Sequence, residues 1–588
     1  MLQKLFSFQL PQFAAGIRDA WRKGYKIADF RNDALAGLTI GTVAVPLSMA
    51  LAIATGVPPE HGLYTAIIAG AIIALTGGSR FNISGPTAAF VVILFPIVQD
   101  YGIGGLLIAT MMAGVILLIL GFSKMGQLIK FVPHPVVLGF TAGIAIIIAV
   151  LQIPDFLGLK TGRLGDDFIE NIGIIFSSFS TINPYEMGVG IFTLLVLILW
   201  PKTRLPIPGP LVGLIAGALA AYAINHWVNG IDIQTIASRF TWKADGMEGH
   251  GIPPIPPSFS MPWSLPGPNG QPLEISFRLI HTLLGPAFAI AVLGAIESLL
   301  CAVIADELTQ TKHDPNSELI GQGLGNLIAP LFGGITATAA IARTATSVRS
   351  GARSPIAAVI HSLFVLLSVI IFAGLLGLVP MASLGALLFI VAWNMSEAKH
   401  FVRTVRTAPI NDVAILLTCF GLTVIFDMVI AVAVGVGLAG ALFIRNMAAA
   451  TRTTRVEPRN HPTINNLPPE IVLYDIDGPL FFGAAEKALS IIRLYDKNVK
   501  TIIIDMHDVI NIDGTAISCL QSLVKDLHRS HISIIFAELS AKNIIVLRRA
   551  GIHTSRGMLN YSKNLIQAKN VAFRWLNQEA IKSDSSSK

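Results

Sequence analysis

Two opposite charges stand where an apolar chain holds them least easily. Glu297 lies in Ala291–Leu300 (AVLGAIESLL), in the middle of an apolar helical run. Arg343 lies in Leu331–Gly351 (LFGGITATAAIARTATSVRSG), directly after a stretch of small and hydroxyl residues. Ionisable groups at membrane depth are costly and default to roles in substrate or proton handling. A carboxylate able to gain and lose a proton is what a proton-coupled carrier needs, and an arginine in the first turn of a helix attracts an anion. Two plainer readings stand beside this one: a static Glu297–Arg343 pair, or Arg343 held by carbonyls for packing. A sodium site at Glu297 is a third, weakened by Cys301 one turn on, a poor ligand for a hard cation.

The backbone around these residues is as informative as the charges. Leu75–Leu94 (LTGGSRFNISGPTAAFVVIL) and Leu331–Gly351 share one pattern: an apolar helix end, Gly-Gly, a short extended polar stretch, then a short helix. Extended backbone at membrane depth is tolerated only inside protein or beside a water-filled cavity. The two stretches, 79–85 and 335–340, are therefore expected to meet in the interior. Each leads into a half-helix, one starting near Pro86 and the other near Ile341. Proline at a first helical position costs little, since its missing N–H has no partner there. Two facing helix N-termini present free N–H groups and positive dipole ends, which together make an anion site. The expected site residues are Pro86, Thr87 and Ala88 from the first half-helix and Ile341, Ala342 and Arg343 from the second. Leu47, Leu51 and Phe90 are candidates for an apolar wall, with plain packing the alternative. Pro46 is expected to interrupt its helix and free carbonyls toward the same cavity. His61 and His134 sit at helix ends and are given no role, and Asp427 reads as a helix cap.

These residues need a membrane scaffold, and the composition supplies one. The 588 residues are 53% hydrophobic and only 13% charged, with a mean hydropathy of +0.67. Between Ala34 and Gln152 the only Asp, Glu, Lys or Arg residues are Glu60, Arg80, Asp100, Lys124 and Lys130, and Ile356–Asn394 has none. A soluble core would show a polar face in such stretches. Apolar runs predict helices near 31–54, 62–77, 86–99, 103–123, 133–152, 184–201, 207–226, 279–304, 316–332, 341–352, 354–375, 379–394, 409–427 and 428–448. That is about fourteen spans, several of them short. With the N-terminus inside, the inward loops carry Arg80, Lys124, Lys130, Lys202, Arg204, Lys312, Arg349, Arg353, Lys399, Arg403 and Arg406. The outward loops at 55–61, 100–102, 333–340 and 376–378 carry no Lys or Arg, which places both termini in the cytoplasm. The matching broken helices fall two helices into each group of seven, so the halves are expected to be inverted repeats about a midplane site.

The expected layout is a cytoplasmic N-terminal segment (1–30), a transmembrane domain (31–450), a linker (451–468), a small cytoplasmic α/β domain (469–580) and a disordered tail (581–588). Strands are expected at 471–475, 501–506 and 532–537, with helices over 483–495, 514–530 and 541–550. The α/β part has no Gly-rich phosphate loop and no nucleophile elbow, so nothing marks it as an enzyme. Cys301, Cys419 and Cys519 are far apart, with no Cys/His cluster, and no disulfide, metal or cofactor is expected. The net charge of +7 comes from loops and ends and gives no reason to expect a nucleic-acid partner.

On these residues the chain resembles the SulP family of anion transporters, which also contains the mammalian prestin-type exchangers. The resemblance is carried by Val45–Ala50 (VPLSMA), Gly62–Thr65 (GLYT), Ser84–Ala88 (SGPTA), Gly294–Leu300 (GAIESLL), Lys312–Asn326 (KHDPNSELIGQGLGN) and Gly333–Thr344. The C-terminal part resembles a STAS domain through Asp477–Lys487 (DGPLFFGAAEK) and Ile503–Ala516 (IIDMHDVINIDGTA). The resemblance implies a seven-plus-seven inverted repeat with core and gate subdomains, a homodimer in the inner (plasma) membrane, and an anion held between the starts of the third and tenth helices. Where many members have Gln after the first-helix proline, this chain has Leu47; a Ser common before the arginine is Ala342. Sodium-coupled bicarbonate members have Asp at the Glu297 position and Thr at the Cys301 position, so this chain resembles the proton-coupled side. VPLSMALAI, TATAAIAR and VAWNMSEA resemble bacterial C4-dicarboxylate carriers of the family, which implies uptake of succinate, fumarate or aspartate with protons. Sulfate, bicarbonate or an uncoupled anion channel are the alternatives. In phosphorylation-regulated STAS domains a Ser follows the loop aspartate; here Gly514 follows Asp513, with Thr515 next. A cytoplasmic protein partner for the STAS domain remains open.

Overall fold

The structure, a computed structural model, describes residues 13–586 apart from 128–131, 163, 166–167, 204, 206, 229, 245–246, 268–269, 427, 458–466, 493–495 and 497. Lys130, Arg204, Asp427, the first twelve residues and half of the expected linker thus lie outside the described residues. The chain divides into two compact units, residues 1–436 and 437–588.

The first unit opens with α1 (Ala15–Arg22), α2 (Ile27–Ala54) and α3 (Pro59–Thr76). A two-residue strand β1 (Ser84–Gly85) leads into α4 (Ala88–Phe122), which is two arms joined at Gly102, where φ is 66° and ψ −171°. The expected break between 99 and 103 is this kink. Then come α5 (His134–Leu157), α6 (Phe168–Ser177), α7 (Pro184–Leu199), α8 (Gly209–Trp227), the short α9 (Ile236–Arg239) and a hairpin of β2 (Thr241–Ala244) and β3 (Met247–His250). The second group follows: α10 (Phe277–Thr309), α11 (Pro315–Ile328), β4 (Thr338–Ala339), α12 (Ile341–Arg349), α13 (Ile356–Gly377), α14 (Met381–Ser396), α15 (Ala398–Thr407), α16 (Ile410–Ile425) and α17 (Met428–Ala450). Among the described residues nine helices are long and apolar enough to cross a membrane. Proline recurs in the first turn of these helices, at Pro59, Pro135, Pro184, Pro210 and Pro315, where it presets φ without losing a helical bond. Asp314 adds a side-chain cap to α11, accepting from the N–H groups of Asn316 and Ser317 at 2.9 and 3.0 Å.

Two expectations about this unit need correcting. Pro46 does not interrupt α2, which runs unbroken from Ile27 to Ala54. Nor does Pro46 face the candidate cavity: it lines an apolar crevice with Met49, Leu214 and Phe364. One residue is a rotation of about 100° on a helix, so Leu47 faces a different space from Pro46.

The second unit carries a five-stranded sheet in the order β5 (Arg452–Val456), β6 (Ile471–Asp477), β7 (Thr501–Asp505), β8 (Ser533–Ala537), β9 (Leu559–Ser562). β5 is antiparallel to β6 and the other pairs are parallel. Helices α18 (Ala485–Ile492), α19 (Gly514–Arg529) and α20 (Ala541–Arg549) bury Leu489, Leu520, Leu523 and Leu547 with Ile502, Ile504 and Phe536 of the sheet. On the other face α21 (Leu565–Ser586) places Ala568 and Ala572 over Leu473, Ile503 and Ile535. The α/β expectation holds at the core strands. It lacks β9, which pairs with β8, and β5, which falls in the expected linker: Arg-Thr-Thr-Arg-Val alternates along an edge and pairs with β6. The helix α21 also continues to Ser586, through most of the stretch expected to be disordered from 581.

Candidate anion site

The two extended stretches cross. β1 and β4 pair antiparallel, with Ser84 opposite Ala339 and Gly85 opposite Thr338. This short pairing gives partners to backbone groups that would otherwise be stranded in the interior. It also fixes the starts of α4 and α12. Thr87 and Ala340, the residues before these helices, are both extended, so the first N–H groups of each helix have no acceptor within it.

Side chains from α10 and α11 hold the crossing in place. The Glu318 carboxylate, 1% exposed, accepts from the Gly78 and Ser79 N–H groups (3.0 Å each), the Asn82 amide (2.7 Å) and the Ser298 hydroxyl (2.7 Å). Gln322 donates to Ser84 Oγ and Ser298 Oγ at 3.2 and 2.9 Å. On the other stretch, the Asn326 amide accepts from Ala337 N–H and donates to Ala337 C=O, both at 2.8 Å. Thr338 donates to Gly294 C=O at 3.0 Å. Thr344 Oγ1 accepts from Ile83 N–H at 3.0 Å and from the Cys301 thiol at 3.2 Å, tying α12 to the first stretch and to α10.

Beside the crossing is a cavity of about 500 Å³. It is lined by the expected Pro86, Thr87, Ala88, Glu297, Ile341, Ala342 and Arg343, and by the wall candidates Leu47 and Leu51. Phe90 is not among them; it is 1% exposed and packs toward Gly294. Arg343 is 3% exposed and donates from Nη2 to the Pro86 carbonyl at 2.8 Å, whereas its Nε and Nη1 have no acceptor among the described residues. Glu297 accepts from the Thr87 hydroxyl at 3.0 Å. Among the described residues no Arg343–Glu297 ion pair forms, so of the readings left open by the sequence the carbonyl partner is realised and the direct pair is not. Each charge reaches across to the first half-helix instead. Gly85 makes room for this: a Cβ there would lie 2.9 Å from Arg343 Nη1.

The opposite wall is made by Val137, Leu138 and Thr141 of α5 and by Val391, Asn394 and Met395 of α14, with His134 and Glu397 also in the lining. His134, given no role from the sequence, is therefore a cavity residue. Its ring lies 5.1 Å from that of His400. Glu318 was overlooked as well, although KHDPNSELIGQGLGN contains it. The readable signal was a carboxylate followed directly by Leu-Ile-Gly inside an apolar helix. Among the described residues no cluster of His, Cys, Asp and Glu could hold a metal ion.

A buried arginine with free N–H groups, two convergent helix starts and a carboxylate in one cavity can hold a small anion and bring it beside a protonatable group. The comparisons with known proteins agree with an anion-carrying role. The chain is 39% identical over 541 residues to "Putative sulfate transporter YvdB" of Bacillus subtilis, covering 92% of this chain and 97% of that protein. Its fold is similar to the transmembrane domain of a cyanobacterial bicarbonate transporter, BicA, with a TM-score of 0.60 and 27% identity over 69% of this chain and 98% of that one. It is also similar to murine Slc26a9, an anion transporter, with a TM-score of 0.77 at 18% identity over 93% and 91% of the two chains. Residues 30–418 match the sulfate permease family and residues 464–561 match the STAS domain. The chain is thus a multi-pass membrane anion transporter, not an enzyme, and belongs to the sulfate permease (SulP) family with a C-terminal STAS domain.

Proposed function

We propose that this transporter is a secondary active, proton-coupled symporter of the inner membrane that takes up C4-dicarboxylates such as succinate, fumarate and aspartate. The observation that carries the reading is Glu297 in the same cavity as Arg343, bonded to Thr87 rather than neutralised by the arginine. In this mechanism Arg343 and the starts of α4 and α12 hold one carboxylate of the substrate. Pro86, Thr87 and Ala88 face Ile341 and Ala342 across it. Leu47 and Leu51 contact the carbon skeleton. Glu297 takes a proton on the outer side and releases it inside, so that cargo and proton move together. The apolar wall and the 500 Å³ volume suit an organic anion better than a small inorganic oxyanion. The sequence resemblance to the bacterial C4-dicarboxylate transporter DauA supports the same substrate class. The chain works in this reading as a homodimer with both termini cytoplasmic, and its STAS domain is open to a cytoplasmic protein partner.

Sulfate or bicarbonate is the second reading, favoured by the similarity to YvdB and BicA. The deciding experiment is uptake of labelled succinate, sulfate and bicarbonate into proteoliposomes with and without an inward proton gradient. Gradient-driven succinate uptake is expected, and Glu297→Gln should abolish the gradient's effect while leaving succinate exchange across equal pH. Sulfate or bicarbonate uptake without a succinate signal would overturn the dicarboxylate reading. An unchanged gradient effect in the variant would remove Glu297 from coupling.

A further inference from the structure

The helix α15 (Ala398–Thr407, AKHFVRTVRT) lies between α14 and α16, and none of its residues is buried. At 100° per residue its side chains separate cleanly. Ala398, Phe401, Val402 and Val405 share one arc, whereas Lys399, Arg403 and Arg406 form a stripe beside it. Phe401 packs on Phe420 of α16 with ring centroids 5.3 Å apart. Val402 and Val405 stay 47% and 36% exposed, and the three cations make no ion pair among the described residues. A short helix with an apolar arc and a flanking Lys/Arg stripe, joined to the apolar helices α14 and α16, has the make-up of a helix that lies in the headgroup layer.

We propose that α15 is an anionic-phospholipid sensor that sets the opening of the transport cavity. The apolar arc seats Val402 and Val405 at the acyl boundary. Lys399, Arg403 and Arg406 then meet lipid phosphates, with their stems lying along the apolar surface. The link to the site is short. Asn394, Met395 and Glu397, the last turn of α14 and its junction with α15, line the cavity. Glu397 takes a left-handed conformation (φ 42°) at that junction and bonds His400 at 3.1 Å. His400 in turn lies against His134 on the cavity wall. A shift of α15 toward or away from the headgroups therefore moves residues that line the mouth. The contact is with lipid rather than substrate, and it is the same whichever anion is carried.

The test uses the full chain in vesicles of phosphatidylcholine alone or with one-third phosphatidylglycerol. Trp393, 66% exposed in the last turn of α14, reports on the lipid beside α15. The signal is the quenching by brominated lipid that is lost in Trp393→Phe. Brominated phosphatidylglycerol should quench it more than brominated phosphatidylcholine. That preference should vanish in K399Q/R403Q/R406Q, since each cation contributes about a five-fold gain in affinity for an anionic surface. Uptake by the wild type should rise at least about two-fold with phosphatidylglycerol, the rise should shrink at high salt, and the triple variant should match the wild type in phosphatidylcholine alone. An undiminished lipid preference in the triple variant would overturn the sensor. Quenching by neither lipid would overturn it too, by showing α15 covered by protein such as a second copy of this chain. A preference with no effect on uptake would leave α15 a passive anchor and refute the link to the cavity.

Discussion

At the scale of the residue, the site works through what Arg343 leaves undone. One guanidinium nitrogen is committed to the Pro86 carbonyl, and two others, buried and unpartnered, are available to a ligand. Charge-assisted hydrogen bonds are worth about 1.5–3 kcal/mol each. With two such bonds lost, about 3–6 kcal/mol, Arg343→Ala should weaken anion binding by at least about 100-fold, measured by isothermal titration on the purified protein. The variant should still fold, because the one bond it loses is to a backbone carbonyl. Normal affinity in a folded variant would return Arg343 to a purely structural role. Both charged residues were legible in the sequence because each stood alone in an apolar setting. Their relation was not. Whether they pair depends on side-chain reach across the crossing, and it took Gly85 and Thr87 to give each a different partner.

At the scale of the element, the crossing depends on acceptors buried far from it in sequence. Glu318→Ala would strand the Gly78 and Ser79 N–H groups and the Ser298 hydroxyl, and leave the Asn82 amide only its 3.3 Å bond to the Ser298 carbonyl. Unpaired buried groups cost about 1–3 kcal/mol each, so a loss of at least about 3 kcal/mol is expected, read as a lower thermal midpoint. Glu318→Gln keeps an acceptor oxygen and should lose less. Asp513 shows the same economy in the second unit: one carboxylate oxygen caps α19 at Ala516 N–H and the other accepts from Phe482 N–H. Asp505 at the end of β7 gives that unit a pH dependence. Burial pushes its carboxyl up to about 6, against the pull of the His507 N–H. A carboxyl raised on folding contributes stability that is complete below its unfolded range and lost as pH climbs through about 6. Exchange protection of the β7 amides, corrected for intrinsic rate, should increase from pH 7 to 5 in the wild type and stay flatter in Asp505→Asn. Elements with strong apolar periodicity were legible within a few residues. Those missed were α6, α9, the β2–β3 hairpin, α15, β5, β9 and α21. α15 was masked by its basic residues, which marked it as a loop although Phe401, Val402 and Val405 kept helical spacing. β5 was masked by its arginines, which an edge strand tolerates.

At the scale of the whole molecule, the pinned crossing has a consequence for the resting carrier. Glu318 and Asn326 prevent the starts of α4 and α12 from drifting apart when nothing lies between them. The positive potential around Arg343 cannot relax by rearranging the backbone, and among the described residues the guanidinium has no second acceptor. A site of that kind attracts bystanders. Chloride, too small to engage both the arginine and the apolar wall, should enter and be held without being carried productively. Replacing gluconate by chloride at constant ionic strength should raise the apparent KM for the cargo while leaving the maximal rate in place, and Arg343→Ala should remove most of that penalty. Equal KM in the two salts would mean that chloride does not compete for the cavity. If the competition is found, the carrier's working affinity is set partly by the salt of the compartment it faces, a form of regulation that requires no separate binding site.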